Sequence, residues 1–377
     1  MIAVFLVCLV IALLPENAVL GINTANLRAY WAALQLFWSG KNPYSQAELV
    51  TLVKTLNVDS NVENIWHLPV IFVFPLIASV GSYVHFLRLE LFLTIIPFLL
   101  CCFLILDGSY IQNTAKENKT THFVLLFFLA TFTPAVQAIP LSPNCNISLL
   151  FFMLFLILER VNNSKMQFLS GYCLAFTCIK PSTLFLVYLH MLFKSLSSKN
   201  LYPLLGFACN LSILLALPFL FSPSIYDQYF ELTKSPPIDW MNPNLGTWLQ
   251  IATGNVDFKL RIFVCIGAAV IYLLAQVVKL KKEKSYFSFE LLAAISLLTT
   301  PYVWHYDFVF LLPLACMTIF NLEGIGSGKI RLAALCLLNL IPLVSDSAIF
   351  SHFYIWYPLG VLLVYLLSFP RIARASA

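Results

Sequence analysis

Apolar runs follow one another along this chain with only short polar breaks, and some, such as Phe123 to Leu129, are apolar at every position. Membrane barrel strands alternate apolar and polar residues, so these uninterrupted runs predict helices as the spanning elements. At about 20 residues per crossing, the pattern predicts membrane helices over Ile2–Leu20, His67–Phe86, Leu89–Leu106, His122–Leu141, Ile147–Leu158, Leu169–Phe193, Leu201–Phe221, Leu260–Val278, Phe287–Thr300, Trp304–Phe320, Leu332–Leu343 and Phe353–Phe369. The expected fold is an all-α, polytopic integral membrane protein of about 10–12 crossings. Pro75, Pro134, Pro140, Pro143 and Pro181 lie in or beside apolar runs and predict breaks there.

Two longer polar segments, Pro15 to Trp66 and Ser222 to Lys259, hold five of the seven tryptophans. Tryptophan prefers the membrane interface, and Lys and Arg prefer cytoplasmic loops. The basic residues gather in the loops with Arg160/Lys165, Lys194/Lys199, Lys279 to Lys284, Lys329/Arg331 and Arg371/Arg374, which predicts those loops inside and the two Trp-rich segments outside. A simple helix count then leaves either Lys116/Lys119 or Arg160/Lys165 on the outer face, which a re-entrant pair among the proline-broken runs would resolve. Within the first segment, Leu27, Tyr30, Trp31, Leu34, Phe37 and Trp38 recur at helical spacing before Gly40 and Pro43, predicting a helix lying flat at the interface. Ser45 and Glu48 have the spacing of a capping box, opening a second helix with Leu49, Leu52, Val53 and Leu56 on one face. The domain expectation is one transmembrane domain over residues 1–377 whose two outer-face loops, 15–66 and 222–259, carry interfacial helices.

Composition supports this class. Of 377 residues, 60% are hydrophobic and 10% charged, against about 25% charged in a soluble domain. The net charge of +5 lies in short loops, as cytoplasmic basic residues do, and predicts no nucleic-acid partner. Nine of the ten cysteines sit inside apolar runs, where they act as small hydrophobes. Cys145 lies in a polar break, and no Cys/His spacing matches a zinc site. Met1 to Leu14 lacks a basic flank and an A-x-A cleavage site, so it is expected to remain as part of the first helix. The chain has no glycine-rich phosphate loop, His-Glu-x-x-His or Asp-x-Asp.

Ionisable groups inside apolar runs cost about 2.5–3.5 kcal/mol each on insertion scales, so those present are candidate chemistry. Lys180 precedes Pro181, where the helix must break. A lysine there could hold a phosphate or could snorkel to the interface. The polar cluster Pro301-Tyr302-Val303-Trp304-His305-Tyr306-Asp307 interrupts another apolar stretch, and Glu290 before it has a structural or interfacial place. A third cluster is Asn23 to Tyr30, followed by Gly40-Lys41-Asn42-Pro43-Tyr44.

Asn26-Leu27-Arg28-Ala29-Tyr30 followed by Gly40-Lys41-Asn42-Pro43-Tyr44 resembles the opening "Asp-Phe-x-x-Tyr … Gly-x-x-Pro-Tyr" of glycosyltransferase family 87. The likeness continues in order through His67-Leu68-Pro69 to Phe74-Pro75-Leu76, Ser142-Pro143-Asn144-Cys145-Asn146, which keeps only the last Asn of the family's Gly-Gln-x-Asn turn, Lys180-Pro181-Ser182-Thr183-Leu184-Phe185-Leu186, Asn242-Pro243-Asn244-Leu245 and Thr300-Pro301 to Tyr306-Asp307. The resemblance implies a GT-C fold and metal-independent, cofactor-free transfer of a hexose or pentose. The donor would be a polyprenyl-phosphate sugar, and the acceptor a lipid or glycan on the outer face of a bacterial cytoplasmic membrane. It implies substrate contacts from Lys180, Tyr30, Arg28, Tyr44, Asn146, Asn244, Trp304 and Tyr306. The family's proposed catalytic Asp is Asn26 here, and an amide cannot take a proton. Asn26 would then orient the acceptor hydroxyl while His305 acts as base with Asp307 beside it, since an ordinary imidazole titrates near neutral pH. Glu16, Asp59, Glu63 and His67 are the other groups that could serve. A transporter or flippase of lipid-linked sugars, and a catalytically silent relative, remain alternatives.

Overall fold

The computed structural model describes residues 10–20, 25–56, 67–73, 82–107, 119–142, 144–235, 240–279, 287–320, 333–341 and 352–375. Every regular element among them is helical. Three helices are long and apolar enough to cross a membrane: Tyr83–Leu106, Tyr202–Phe221 and Lys259–Val278. At 1.5 Å per residue the first is about 36 Å long, more than a hydrocarbon core of about 30 Å.

Runs bounded by clear polar breaks fold as expected, as in Asn144–Glu159, Tyr202–Phe221 and Lys259–Lys279. The crossings expected over His67–Phe86 and Leu89–Leu106 do not form as two. Pro69–Val73 is a short 3-10 helix, residues 74–81 lie outside the described set, and one continuous helix runs from Tyr83 to Leu106. Arg88 and Glu90 do not interrupt it, because both are good helix formers and Arg88 donates to the Leu14 carbonyl at 2.9 Å. The run His122–Leu141 divides into Lys119–Ala130 and Thr133–Leu141, and Pro134 sits in the first turn of the second, where its missing N–H costs nothing. The first apolar run is interrupted at Leu14 and Pro15 within its described part. Ser45 opens the helix Gln46–Lys54 without a side-chain bond, so the capping box is not made. The Asn42 side chain instead accepts the Tyr44 N–H at 2.9 Å.

The chain forms two compact units, each built from separated stretches. The first comprises Met1–Cys101, Gln137–Lys180 and Tyr202–Pro236. Its centre is the helix Ala25–Trp38. The expected interfacial helix is enclosed on nearly every side, because Ala29, Ala32 and Ala33 are buried along with Leu27, Leu34 and Phe37. Small apolar residues where a surface helix would carry charge let neighbours close over it. Phe37 stacks on Phe72, with ring centroids 5.0 Å apart. Gly40, at φ +72, ends this helix in the left-handed conformation that glycine adopts without strain, and the Lys41 N–H returns to the Leu36 carbonyl at 2.9 Å. Elsewhere in this unit, Ser164–Ala175 packs against Tyr202–Phe221 with backbones in near contact at Gly171 and Gly206, the small-residue packing that membrane helices favour.

The second unit comprises Cys102–Val136, Pro181–Leu201 and Pro237–Ala377. Its buried helix Phe289–Thr299 supplies Ser296, whose hydroxyl accepts the Leu186 N–H at 3.1 Å. Helix Lys259–Lys279 leaves Phe263, Ile266, Ile271 and Leu274 exposed, as a lipid-facing surface requires.

A methyl group at Gly206 would stand 1.9 Å from the Phe168 carbonyl oxygen, whereas one at Gly267 meets nothing within 4 Å. Gly206→Ala should therefore destabilise the protein by at least about 1–3 kcal/mol. Gly267→Ala should be neutral or slightly stabilising. Thermal unfolding in detergent measures both, and equal transition temperatures would contradict the close crossing.

Candidate functional site

Each unit carries one cluster of the residues singled out by sequence. In the first unit the cluster forms around His67, which is buried and stands outside all three long apolar helices. The Tyr30 hydroxyl is hydrogen-bonded to its ring Nδ1 at 2.9 Å. The Tyr44 hydroxyl donates to its backbone carbonyl at 3.0 Å. Lys180 is near enough to act on it electrostatically. Burial first, and then the Lys180 charge, push the imidazole down to about 3, so the ring is neutral and offers a nitrogen as acceptor. The Tyr44 phenol is pushed well above its ordinary value by burial and by Tyr229, Tyr226 and Tyr30, so it stays a donor.

Local sequence explains each position. Lys180 has φ −133 and ψ 77 between the 3-10 turns Phe176–Ile179 and Pro181–Leu184, since a residue before proline is driven out of the helical region. Tyr44 is set by the Asn42 turn. Asn26 lies one helical turn before Tyr30 and so shares its face of the helix. Arg28, two residues from Tyr30, is on another face and acts electrostatically on Tyr83. Its Nε is buried without a hydrogen-bond partner among the described residues. Asn146 donates from Nδ2 to the Thr94 carbonyl at 3.1 Å, tying its helix to Tyr83–Leu106. Of the sequence-named groups in this unit, Tyr30, Tyr44 and Lys180 converge. Asp59 and Glu63 lie outside the described residues, as do Asn23 and Thr24.

The second unit holds Asn244, Trp304, His305, Tyr306 and Asp307. His305, Tyr306 and Asp307 are buried in a 3-10 helix, His305–Leu311. Its turn of three residues sends His305 and Asp307, two apart, in different directions. Asp307 Oδ2 accepts the Trp304 N–H at 2.6 Å, while the Asp307 N–H returns to the Trp304 carbonyl at 3.0 Å. That carboxylate caps the helix. The His305 ring meets Tyr306 and Tyr354 edge-on, with centroids 5.3 and 6.1 Å away. Asn244 is also a cap, its side-chain oxygen accepting the Thr247 N–H at 2.7 Å.

Sequence reasoning missed Arg261, which is 1% exposed in the first turn of Lys259–Lys279. Its guanidinium donates to Gln250 Oε1 at 2.6 Å, Asn242 Oδ1 at 2.8 Å and the Trp240 carbonyl at 2.7 Å. The signal was an arginine at the edge of an apolar run, which looks like an ordinary boundary charge. Among the described residues no three His, Cys, Asp or Glu side chains come together as a metal site.

No family model, curated protein or solved structure matches this chain.

Two outcomes follow. A His67 pKa below its unfolded value near 6.5 means that the unfolded chain binds the extra proton. Its contribution to stability is then full above about pH 6.5 and falls as pH drops toward 3. Nitrogen-15 histidine NMR should show a neutral His67 from pH 5 to 8, and Lys180→Met should move its pKa up. A ring titrating normally in the unaltered protein would refute this. For Asp307, →Ala should cost about 1 kcal/mol, the usual value of a cap, and →Asn should recover most of it in thermal unfolding. Equal losses in both would remove the capping role.

Proposed function

We propose that this chain is a membrane-embedded glycosyltransferase that moves a hexose or pentose from a polyprenyl-phosphate donor to a lipid or glycan acceptor on the outer face of the cytoplasmic membrane. The observation that carries the reading is the cluster of Lys180, His67, Tyr30 and Tyr44 at the helix break in the first unit. An ammonium on non-helical backbone within an apolar protein suits a lipid-linked phosphate, through a charge-assisted contact that strengthens as the phosphate leaves. The acceptor hydroxyl attacks the anomeric carbon, its proton passes to a base, and the bond to the phosphate oxygen breaks with inversion.

Within this unit the proton acceptor is His67. Burial lowers the imidazole most and the Lys180 charge lowers it further; a bound phosphate offsets the second of these, so the donor makes His67 a better base as it arrives. Asn26, on the Tyr30 face, orients the acceptor hydroxyl. His305 is the competing base, in the second unit. A transporter of lipid-linked sugars is the second reading, favoured by Glu90, which is buried within the long helix Tyr83–Leu106.

Lys180→Met should weaken binding of polyprenyl-phosphate sugar in nanodiscs at least about tenfold, the loss expected for a buried charged contact, while insertion is unchanged. His67→Gln should lower turnover by about 10² or more, with His305→Gln milder and Asn26→Asp neutral or faster. Unchanged donor affinity in Lys180→Met removes the phosphate site. Full turnover in His67→Gln with loss in His305→Gln moves the base to the second unit. Flux of labelled donor across liposomes without product would replace the transferase with the transporter.

A further inference from the structure

In the second unit, three half-buried aromatic side chains gather from two segments: Trp240, Tyr302 and Trp304. Trp240 stands 5.6 Å from Tyr302 at an interplanar angle of 32° and 5.5 Å from Trp304 at 54°. Tyr302 and Trp304 are 6.2 Å apart and nearly perpendicular. The Trp304 indole N–H donates to the Tyr302 hydroxyl at 2.7 Å. Interfacial anchors aim their polar edge at lipid headgroups. Here the Trp304 edge is turned onto a neighbour instead.

Behind Trp240 the chain is held unusually firmly for a loop. Its carbonyl accepts from Arg261 Nη2, and Asn242 Oδ1 accepts from Nη1 of the same guanidinium. Gly246 lies so close to Arg261 that an added methyl would be 2.7 Å from its Cα. Gln250 continues the lattice, accepting from Arg261 and donating to the Val256 and Asp257 carbonyls at 3.0 Å. Because the Asn242 oxygen faces Arg261 and the Asn244 oxygen faces the Thr247 N–H, the amide orientations are set by the network. Both NH2 groups point away from those bonds. Asn242 Nδ2, Asn244 Nδ2 and Thr247 Oγ1 are buried without a hydrogen-bond partner among the described residues, and all three residues are 0% exposed. Such groups are costly unless something completes them.

We propose that this corner is a binding subsite for a pyranose ring, its C–H face stacking on Trp240 and Trp304 and its hydroxyls completing the buried amide donors and the Thr247 hydroxyl. An acyl chain would use the aromatic faces but leave the amides unsatisfied. A phosphate would need a cation, and Arg261 already donates to three neutral oxygens of the protein. The choice of a sugar over other ring-shaped ligands rests on the transferase reading, whereas the site itself rests on the geometry of this unit alone.

Saturation-transfer NMR on the full chain in nanodiscs tests it, with methyl glucopyranoside, mannopyranoside and galactopyranoside at millimolar concentration and decyl maltoside as the apolar comparison. Ring protons of at least one methyl glycoside should receive saturation, and the signal should fall about tenfold in Trp304→Ala, as for an aromatic anchor. Trp240→Phe, which keeps an aromatic face, should retain most of it, and Asn242→Ala should lose part. A Trp38→Phe control in the first unit should be unchanged, and thermal unfolding checks that each variant is folded. Absence of ring signal for every methyl glycoside, transfer confined to the decyl chain, or equal signals in Trp304→Ala and the unaltered protein would overturn the subsite. Ring binding with no turnover of any donor keeps the subsite and removes the transferase. Turnover without ring binding does the reverse.

Discussion

A single proline shapes the part of the chain where the candidate chemistry lies. Pro181 has no N–H to donate, its ring excludes the carbonyl four residues earlier, and the residue before it is forced out of the helical region. What would be one crossing becomes Ser164–Ala175, two short 3-10 turns and Phe185–Ser197. Bare backbone at such a break is tolerated in an apolar protein only where side chains or neighbours satisfy it. The Leu186 N–H goes to the Ser296 hydroxyl, and the Thr177 hydroxyl caps the Leu174 carbonyl at 2.7 Å. The break is also where the chain passes from the first compact unit to the second. Lys180 owes its position to it, since an unbroken helix would have carried that ammonium round with the rest of its face.

The features legible in the sequence are those with a local cause. Long apolar helices follow from composition, and the Lys180 break from one proline. The glycine end of Ala25–Trp38 follows from the residue type that tolerates a positive φ. Tyr30, Tyr44 and Lys180 stand in the motifs singled out by sequence, but His67, the group that they surround, stands there only as one of several candidate bases. His67 is 37 residues from Tyr30, and no periodicity reports a partnership at that range. The enclosure of helix Ala25–Trp38 is not legible in the sequence, because its aromatic stripe looks amphipathic and alanine on the other face carries a weak signal although it permits close packing. The expected boundary between two crossings fell at Leu87 and Arg88, yet Arg88 and the nearby Glu90 both sit inside one helix. Charge alone does not end a helix when its residues are good helix formers and one of them finds a carbonyl.

Asp307 is a case of another kind. A histidine and an aspartate two residues apart suggest a catalytic pair, and a local break was needed to bring them together. The break exists, but as a 3-10 turn, and that geometry directs the carboxylate to the backbone of Trp304. A carboxylate that accepts a backbone N–H at a helix start has a sufficient reason to be where it is. Its presence is therefore weak support for general-base chemistry in the second unit.

Arg261, which is buried, and Lys180, which is half-buried, differ in a way that bears on where an anion could bind. Arg261 directs Nε, Nη1 and Nη2 at three neutral oxygens that it also positions, so an incoming anion would have to break the loop to reach it. A planar fork with fixed donors suits that scaffold role. Lys180 is a compact charge on a flexible stem, half-buried at a backbone break, and the group it acts on is a neutral imidazole. An anion placed beside it lowers the electrostatic cost of that charge and leaves the ring free to gain basicity. At low dielectric the pairing of an ammonium with a phosphate is strong. Arg261 is thus the cation that holds the loop at Trp240, and Lys180 is the one that the proposed donor phosphate would meet.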